Sequence, residues 1–151
     1  SLEVNAKLFF KNVDIEKLKK EYNDSVIKHI DKGKLMKDAK EVLKKIKEKK
    51  LKIGLVTNTT SKRAEKELKY QKVRDLFDVV ITADDVEKPK PYPHPILKAC
   101  EKLKVMPDEV IYVGDTKNDY KAGKSAGAFV VGLETKGDLI ISGLKDLLQL
   151  L

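Results

Sequence analysis

The sequence is poor in the residues that several functions require: it has no tryptophan, one cysteine, and only 6% aromatic residues. Because Cys100 has no partner in the chain, no internal disulfide can form, and we expect a reducing, cytoplasmic location. No apolar run approaches the ~18 residues that a membrane-spanning helix needs, so no membrane partner is expected. Few aromatic side chains also argue against a surface that stacks nucleic-acid bases.

Charged residues, by contrast, are abundant: they make up 37% of the 151 residues, and the formal net charge at pH 7 is +8. A positive charge of this size favours anionic partners, including nucleic acid. Many lysines, however, lie three or four residues from a glutamate, which is the spacing of ion pairs on a helix surface. Such pairs are Glu41/Lys45, Lys44/Glu48, Glu65/Lys69 and Glu101/Lys104. We therefore predict a solvated surface suited to anionic substrates rather than to nucleic acid, and the composition is typical of a heat-adapted (thermophile) protein.

The pattern of apolar residues predicts helices and strands that alternate from residue 36 onward. Helices are predicted over residues 14–31, 36–49, 59–72, 96–103, a segment through Ala126, and the end of residues 139–150. Strands are predicted over residues 51–57, 79–82, 110–113 and 129–133. Alternating strands and helices connect into a parallel sheet. The sequence therefore predicts an α/β fold.

Two aspartates follow the predicted strand over residues 110–113. Gly114 lets the backbone turn, Asp115 then lies at the end of the strand, and Asp119 lies near the start of the next helix. Ligands of parallel α/β sheets bind at this edge, and Mg²⁺ prefers carboxylate, water and phosphate oxygens. The pattern predicts a metal site formed by Asp115 and Asp119, although helix capping would explain Asp119 by itself.

Two other loops are expected at the same edge of the sheet. Thr57 and Asn58 follow the first strand, and the hydroxyl-rich helix start after them offers free amides that suit an anion such as phosphate. The proline-rich residues 88–95 form a stiff path that presents Lys88 and Lys90. Taken alone, the first pattern favours helix capping, and the second is explained as well by an exposed basic turn.

In combination, the three motifs resemble the haloacid dehalogenase (HAD) superfamily, and within it the phosphoglycolate-phosphatase-like hydrolases. Leu55-Val-Thr-Asn58 is similar to the second motif of that family. Residues 90–99 (Lys-Pro-Tyr-Pro-His-Pro-Ile-Leu-Lys-Ala) are similar to its lysine motif. Residues 113–119 (Val-Gly-Asp-Thr-Lys-Asn-Asp) are similar to its acidic motif. The resemblance covers residues 36–151. It implies a Rossmann-like parallel sheet sandwiched by helices over that range, preceded over residues 1–35 by a segment of a partial helical cap.

The resemblance also implies Mg²⁺-dependent hydrolysis of a phosphate monoester of a small metabolite through an aspartyl-phosphate. Thr57, Asn58 and Lys90 would bind the phosphate and act in catalysis together with Asp115. Asp115 would hold the metal directly, and Asp119 would act indirectly by orienting a metal-bound water or Lys90. Lys90 is chosen over the other lysine of its loop because it lies 25 residues before Asp115 (115 − 90 = 25) and begins the Pro-x-Pro run that leads into the helix, as the family pattern requires. Related dehalogenases act without Mg²⁺ on carbon–halogen bonds, an alternative that the paired acidic residues disfavour.

One motif of the family is absent from the sequence: no Asp-x-Asp occurs in the 151 residues. In the family this motif supplies the nucleophile and ends a central strand, between the strands that here carry Thr57 and Asp115. Three arrangements are open: a missing N-terminal segment or second polypeptide fills this position, residues 2–10 fill it as a vestigial strand, or the two flanking strands pair directly. We favour the first. The alternative function is a catalytically inactive pseudo-phosphatase that binds phosphorylated ligands, and a nucleic-acid binder is a weaker third hypothesis.

Overall fold

The chain divides into two compact units, Ser1–Lys34 and Leu35–Leu151. The computed structural model describes residues 14–28 of the first unit and all of the second, residues 35–151. The strand considered over residues 2–10 lies outside the described residues.

The first unit contains helix α1, Ile15–Lys28. The Asp14 carboxylate accepts a hydrogen bond from the backbone N–H of Lys17 at 3.1 Å. This is the hydrogen bond by which an aspartate caps the N-terminus of a helix. The last residues of the helix predicted over 14–31 lie outside the described residues.

The second unit alternates helices and strands as predicted as far as residue 133, and a further strand follows directly. In chain order its elements are α2 (Ala39–Glu48), β1 (Gly54–Val56), α3 (Ser61–Tyr70), β2 (Val79–Ile81), α4 (His94–Leu103), β3 (Ile111–Gly114), α5 (Lys117–Ala126), β4 (Phe129–Leu133) and β5 (Leu139–Ile141). The paired strands all run in parallel. Helical connections join β1 to β2 and β3 to β4, as parallel pairing usually requires, whereas residues 134–138 join β4 to β5 without a helix. In the described ranges, no helix has both the length and the apolar character needed to cross a membrane.

The strands form two sheets, one of β1 and β2 and one of β3, β4 and β5. In the first sheet Gly54 lies opposite Val79, and in the second Ile111 lies opposite Phe129. Strands β1 and β3 do not pair with each other, so each has an edge without a partner strand among residues 14–28 and 35–151. The third arrangement considered above, direct pairing of these two strands, is therefore wrong.

Hydrophobic side chains cover both faces of the sheet β3–β4–β5. On one face, α2 and the residues after β5 pack on the sheet through Val42, Val131, Leu133, Ile141 and Leu147. On the other face, α4 and α5 supply a second cluster, Ile96, Cys100, Ala122 and Ala126. Within β3, Val113 packs on the first cluster and Tyr112 on the second, as the alternation of side chains along a strand requires. The sheet is therefore sandwiched between helices, and the predicted α/β class is confirmed.

The bounds of some helices differ from the prediction. Helix α2 begins at Ala39 rather than at residue 36. Residues 139–150 end in a helix as predicted, but this helix covers only Leu144–Gln149 and has 3-10 geometry, and Leu139–Ile141 before it forms strand β5. A short apolar run fits either element, and here pairing with β4 decides between them. Helix α4 begins at His94, earlier than predicted, because Pro95 is tolerated in the first turn of a helix.

Candidate functional site

Lys90 lies at the centre of the candidate site, with its side chain only 14% exposed. Its ammonium group donates to the Val56 carbonyl at the end of β1 at 3.1 Å, and to Asp119 Oδ1 after β3 at 2.7 Å. The carboxyl ends of β1 and β3 therefore lie on either side of one positive charge. An ammonium has three N–H donors, and acceptors within residues 14–28 and 35–151 use two of them. The third remains for a ligand.

The loop that carries Lys90 is fixed by Asn58. The Asn58 side-chain amide donates to the Lys90 carbonyl at 2.8 Å, and its Oδ1 accepts the Lys90 backbone N–H at 3.0 Å. Lys88, the other candidate in this loop, is exposed, and its Nζ lies 5.7 Å from the centre of the Tyr92 ring. The geometry therefore favours Lys90 over Lys88. Asn58 positions this loop, and its direct contact with phosphate stays a prediction.

Thr57 follows β1 directly and extends its pairing with β2. Its backbone N–H donates to the Ile81 carbonyl at 2.9 Å. Its Oγ1 accepts the Thr59 backbone N–H at 3.2 Å and lies 3.1 Å from Thr59 Oγ1. The hydroxyl is therefore held at the carboxyl edge of the sheet, one residue after the carbonyl that binds the ammonium of Lys90.

The start of helix α3 is less open to an anion than the sequence suggests. The Ser61 backbone N–H donates to Asp84 Oδ2 at 2.7 Å, and Ser61 Oγ lies 2.7 Å from Thr82 Oγ1. A carboxylate at a helix N-terminus is a stabilising partner for its free amides and its dipole. The prediction of a free amide is therefore wrong at Ser61, where the protein supplies its own anion, Asp84.

Asp119 is buried, with 5% of its surface exposed, and hydrogen-bond donors contact both of its oxygens. Oδ1 accepts from Lys90 and from the Tyr112 hydroxyl at 2.9 Å, while Oδ2 accepts from the Thr116 backbone N–H at 3.1 Å and from its hydroxyl. Burial opposes ionisation, but the hydrogen bonds from Lys90 and Thr116 outweigh it, and the pKa of Asp119 lies below its ordinary value. The carboxylate is therefore the fixed counter-ion of Lys90.

The close approach of Asp119 to β3 depends on Gly114. A Cβ atom at residue 114 would lie 2.2 Å from the Cβ of Asp119, which is too close for two non-bonded carbon atoms. The glycine of the acidic motif thus makes room for the carboxylate that holds Lys90.

Asp115 differs from Asp119 in being exposed, at the end of β3. Across the described part of the chain, no hydrogen bond or ion pair engages its side chain, so both of its oxygens are open to a ligand. No group of three or more metal-binding side chains occurs among these residues either. Mg²⁺ is usually held by only one or two carboxylates with waters and phosphate, so Asp115 suits it. Asp119 would lose a donor by binding a metal directly, which agrees with the indirect role predicted for it.

Three residues of the site were not predicted as such: Tyr112, Thr116 and Asp84. Thr116 could have been found, because threonine three residues before an acidic residue is the pattern of a capping box, and the structure forms it. Tyr112 and Asp84 carry no such signal. They reach the site through contacts between separate elements.

In this parallel α/β fold the ammonium of Lys90 lies between the end of β1, followed by Thr57, and the aspartates after β3, and a class of hydrolases shares this fold and these motifs. The chain matches the haloacid dehalogenase-like hydrolases over residues 2–133 and belongs to that family.

Particular members of the family resemble the chain closely enough to compare. It is 36% identical to the pyrophosphatase PpaX of Bacillus mycoides (strain KBAB4) over 122 residues, which cover 74% of this chain and 57% of that protein. A HAD phosphatase from Thermococcus onnurineus has 29% identity and a TM-score of 0.77, covering 96% of this chain and 67% of that one. A protein from Haemophilus somnus 129pt, described as a predicted phosphoglycolate phosphatase, shares the fold (24% identity, TM-score 0.86, 99% and 73% coverage). The chain thus spans little more than half the length of the curated relative.

Proposed function

We propose that this chain forms the phosphate-binding core of a Mg²⁺-dependent phosphoric monoester hydrolase, similar to phosphoglycolate phosphatases, that acts on a small phosphorylated metabolite. The observation that carries the proposal is the position of the Lys90 ammonium, between the end of β1 and Asp119, with one donor left for a ligand. The similarity to proteins named as phosphatase and pyrophosphatase supports the same class of substrate.

The chemistry of the transferred group explains the residues. A phosphoryl group in transfer spreads negative charge over three oxygens. Lys90 would neutralise part of this charge, and Thr57 Oγ1 would donate to one oxygen, while Asn58 keeps the Lys90 loop in place. Asp115 would hold Mg²⁺, which when bound neutralises phosphate charge as a Lewis acid. Asp119 keeps the ammonium of Lys90 oriented.

The nucleophile is the part of the proposal that this chain does not supply. No Asp-x-Asp occurs in its sequence, and β1 and β3 each have an unpaired edge within the described ranges. Unpaired backbone at inner strand edges is unfavourable. We infer that a strand from outside the 151 residues fits between them and places a carboxylate beside Lys90. That carboxylate would attack phosphorus, displace the alcohol, and form an aspartyl-phosphate that water then hydrolyses.

The absence of the nucleophile from the sequence also favours a second candidate function. A pseudo-phosphatase would use Thr57 and Lys90 to bind phosphorylated ligands without turnover. The two candidates share the binding site and differ only in whether a strand with a carboxylate is present.

Turnover of an aryl phosphate with Mg²⁺ separates these candidates. The chain is assayed alone and with a synthetic strand peptide that ends in Asp-x-Asp, and the matched control peptide ends in Asn-x-Asn. Turnover that needs the aspartate peptide and is abolished by Asp115→Asn supports the hydrolase. Phosphate binding without turnover in any mixture supports the pseudo-phosphatase, and no phosphate binding contradicts both. Inorganic pyrophosphate is tested beside the aryl phosphate because of the similarity to pyrophosphatase PpaX.

Mass spectrometry of the native protein provides a separate test of the added strand. We expect a second peptide with Asp-x-Asp, or a longer chain that contains it. A homogeneous species of 17.1 kDa without phosphatase activity would contradict this part of the proposal.

We further propose that the unit Ser1–Lys34 belongs to a substrate-selecting cap. The cytoplasmic location and the heat adaptation stay predictions.

A further inference from the structure

We propose that Tyr112 is a positioning residue of this site: its hydroxyl fixes the carboxylate of Asp119, and the carboxylate in turn fixes the ammonium of Lys90. The proposal rests on the proposed function in one respect, namely that Lys90 binds the phosphoryl group.

The first support is the sharing of a single oxygen atom. Asp119 Oδ1 accepts the Tyr112 hydroxyl at 2.9 Å and the Lys90 ammonium at 2.7 Å. Thr116 holds the other oxygen through its backbone N–H at 3.1 Å. Rotation of the carboxylate would break contacts at both oxygens. Tyr112 therefore helps to orient the Asp119 carboxylate. The orientation of the carboxylate in turn sets where the Lys90 ammonium lies and where its remaining N–H points.

The second support is the packing that fixes the Tyr112 ring. The ring lies against the hydrophobic cluster between α4 and α5. Residue 123 of α5 is glycine, and a Cβ atom there would lie 3.1 Å from Cδ1 of the ring and 2.5 Å from Cγ2 of Val130. Glycine is less favourable than alanine in a helix interior, and here it allows the close approach of the helix to the strand. The hydroxyl thus reaches Asp119 from a ring that packs against the hydrophobic cluster of α4 and α5.

The test compares two substitutions that each remove one hydroxyl from the same strand–helix unit. Tyr112→Phe removes the donor to Asp119. Tyr120→Phe is the matched control, because the Tyr120 ring lies 4.6 Å from the Lys136 ammonium instead. Replacement of Tyr112 by 4-fluorophenylalanine fills the space of the hydroxyl without donating a hydrogen bond, and it serves as a second variant should the phenylalanine variant fold poorly.

Two readouts are measured on the full chain. The first is the ¹H–¹⁵N signal of the Lys90 ammonium, assigned by its loss in Lys90→Arg. The second is the affinity for inorganic phosphate, measured by NMR titration. We expect both Tyr112 variants to shift or broaden the Lys90 signal and to weaken phosphate binding about fivefold, the effect of one hydrogen bond. Tyr120→Phe should change neither readout.

An unchanged Lys90 signal in both Tyr112 variants would overturn the positioning role, as would equal changes in the Tyr112 and Tyr120 variants. Failure of the proposed function would give a different result. The wild-type chain would then not bind phosphate at all, while the Lys90 signal would still show whether Tyr112 fixes the ammonium.

Discussion

Replacement of Asp119 by asparagine is the most direct perturbation of the site, because it removes one charge from a nearly buried ion pair. Asp119 is 5% exposed, and the Lys90 side chain is 14% exposed. Both oxygens of the carboxylate face donors, so the amide of asparagine would point an N–H at another donor in either orientation. The substitution therefore leaves a buried ammonium with a poorer partner.

The expected loss of stability follows from these contacts. Removal of one partner from a buried ion pair destabilises a protein by about 3–5 kcal/mol. Lys90 keeps the Val56 carbonyl as an acceptor, so we expect the lower end, about 3 kcal/mol. For a domain of this size that corresponds to a decrease in Tm of about 6–12 °C.

The assay is urea unfolding at pH 7, followed by far-UV circular dichroism, for Asp119→Asn, Lys90→Met and the double variant Lys90→Met/Asp119→Asn. Because the double variant leaves no charge unpaired, we expect it to be more stable than the sum of the single effects predicts, by at least about 1 kcal/mol. Asp115→Asn is the matched control at the same strand end. A loss below about 0.5 kcal/mol in Asp119→Asn, or strict additivity in the cycle, would refute the ion-pair account.

The remaining predictions concern the metal, the packing and the pH dependence of stability. Asp115→Asn should abolish Mg²⁺ binding in a calorimetric titration. Because the Asp115 side chain is exposed, the substitution should change the free energy of unfolding by less than about 0.5 kcal/mol. A large loss of stability would contradict this. Gly123→Ala should lower the free energy of unfolding by about 1–3 kcal/mol in spite of the better helix propensity of alanine, since the new methyl group meets Val130; an unchanged or raised urea midpoint would show that the helix moves aside. Asp85 accepts the hydroxyl and backbone N–H of Thr82, and these hydrogen bonds lower its pKa. The stability gained from its charge is therefore fully present above the unfolded-state pKa of about 3.9 and is lost as the pH falls through the lower folded-state pKa. Asp85→Ala should accordingly be less stable than the wild type by about 1 kcal/mol at pH 7, with the difference shrinking only below about pH 4; a difference that shrinks near neutral pH would contradict the assignment.

Much of the site could be predicted because its parts are local. Thr57 and Asp115 each follow a short apolar run, and the carboxyl ends of parallel strands share one edge. The choice of Lys90 over Lys88 rested on its spacing from Asp115 and on the Pro-x-Pro run into the helix, and the largely buried side chain of Lys90 agrees with it.

What could not be predicted depends on contacts between distant segments. Asp84 takes the Ser61 amide from another loop, and Tyr112 reaches Asp119 only because Gly123 lets α5 approach β3. A local sequence pattern does not show that residues from separate elements, such as Asp84 and Ser61, come into contact.

Ion pairs on helix surfaces show the limit of spacing rules. Glu41/Lys45 and Glu65/Lys69 form, at 3.0 and 3.8 Å. Lys44/Glu48 and Glu101/Lys104 are not among the ion pairs of the described ranges. Exposed side chains of this length lose as much in entropy as they gain from the contact, so spacing permits such pairs without requiring them.

The most direct measurement of the central claim is a crystal structure of the chain with Mg²⁺ and inorganic phosphate. We predict a phosphate within hydrogen-bond distance of both Thr57 Oγ1 and Lys90 Nζ, and a metal ion on Asp115, with the Asp119–Lys90 pair intact. A phosphate bound elsewhere, or one that reaches Lys90 only after this pair has broken, would contradict the account.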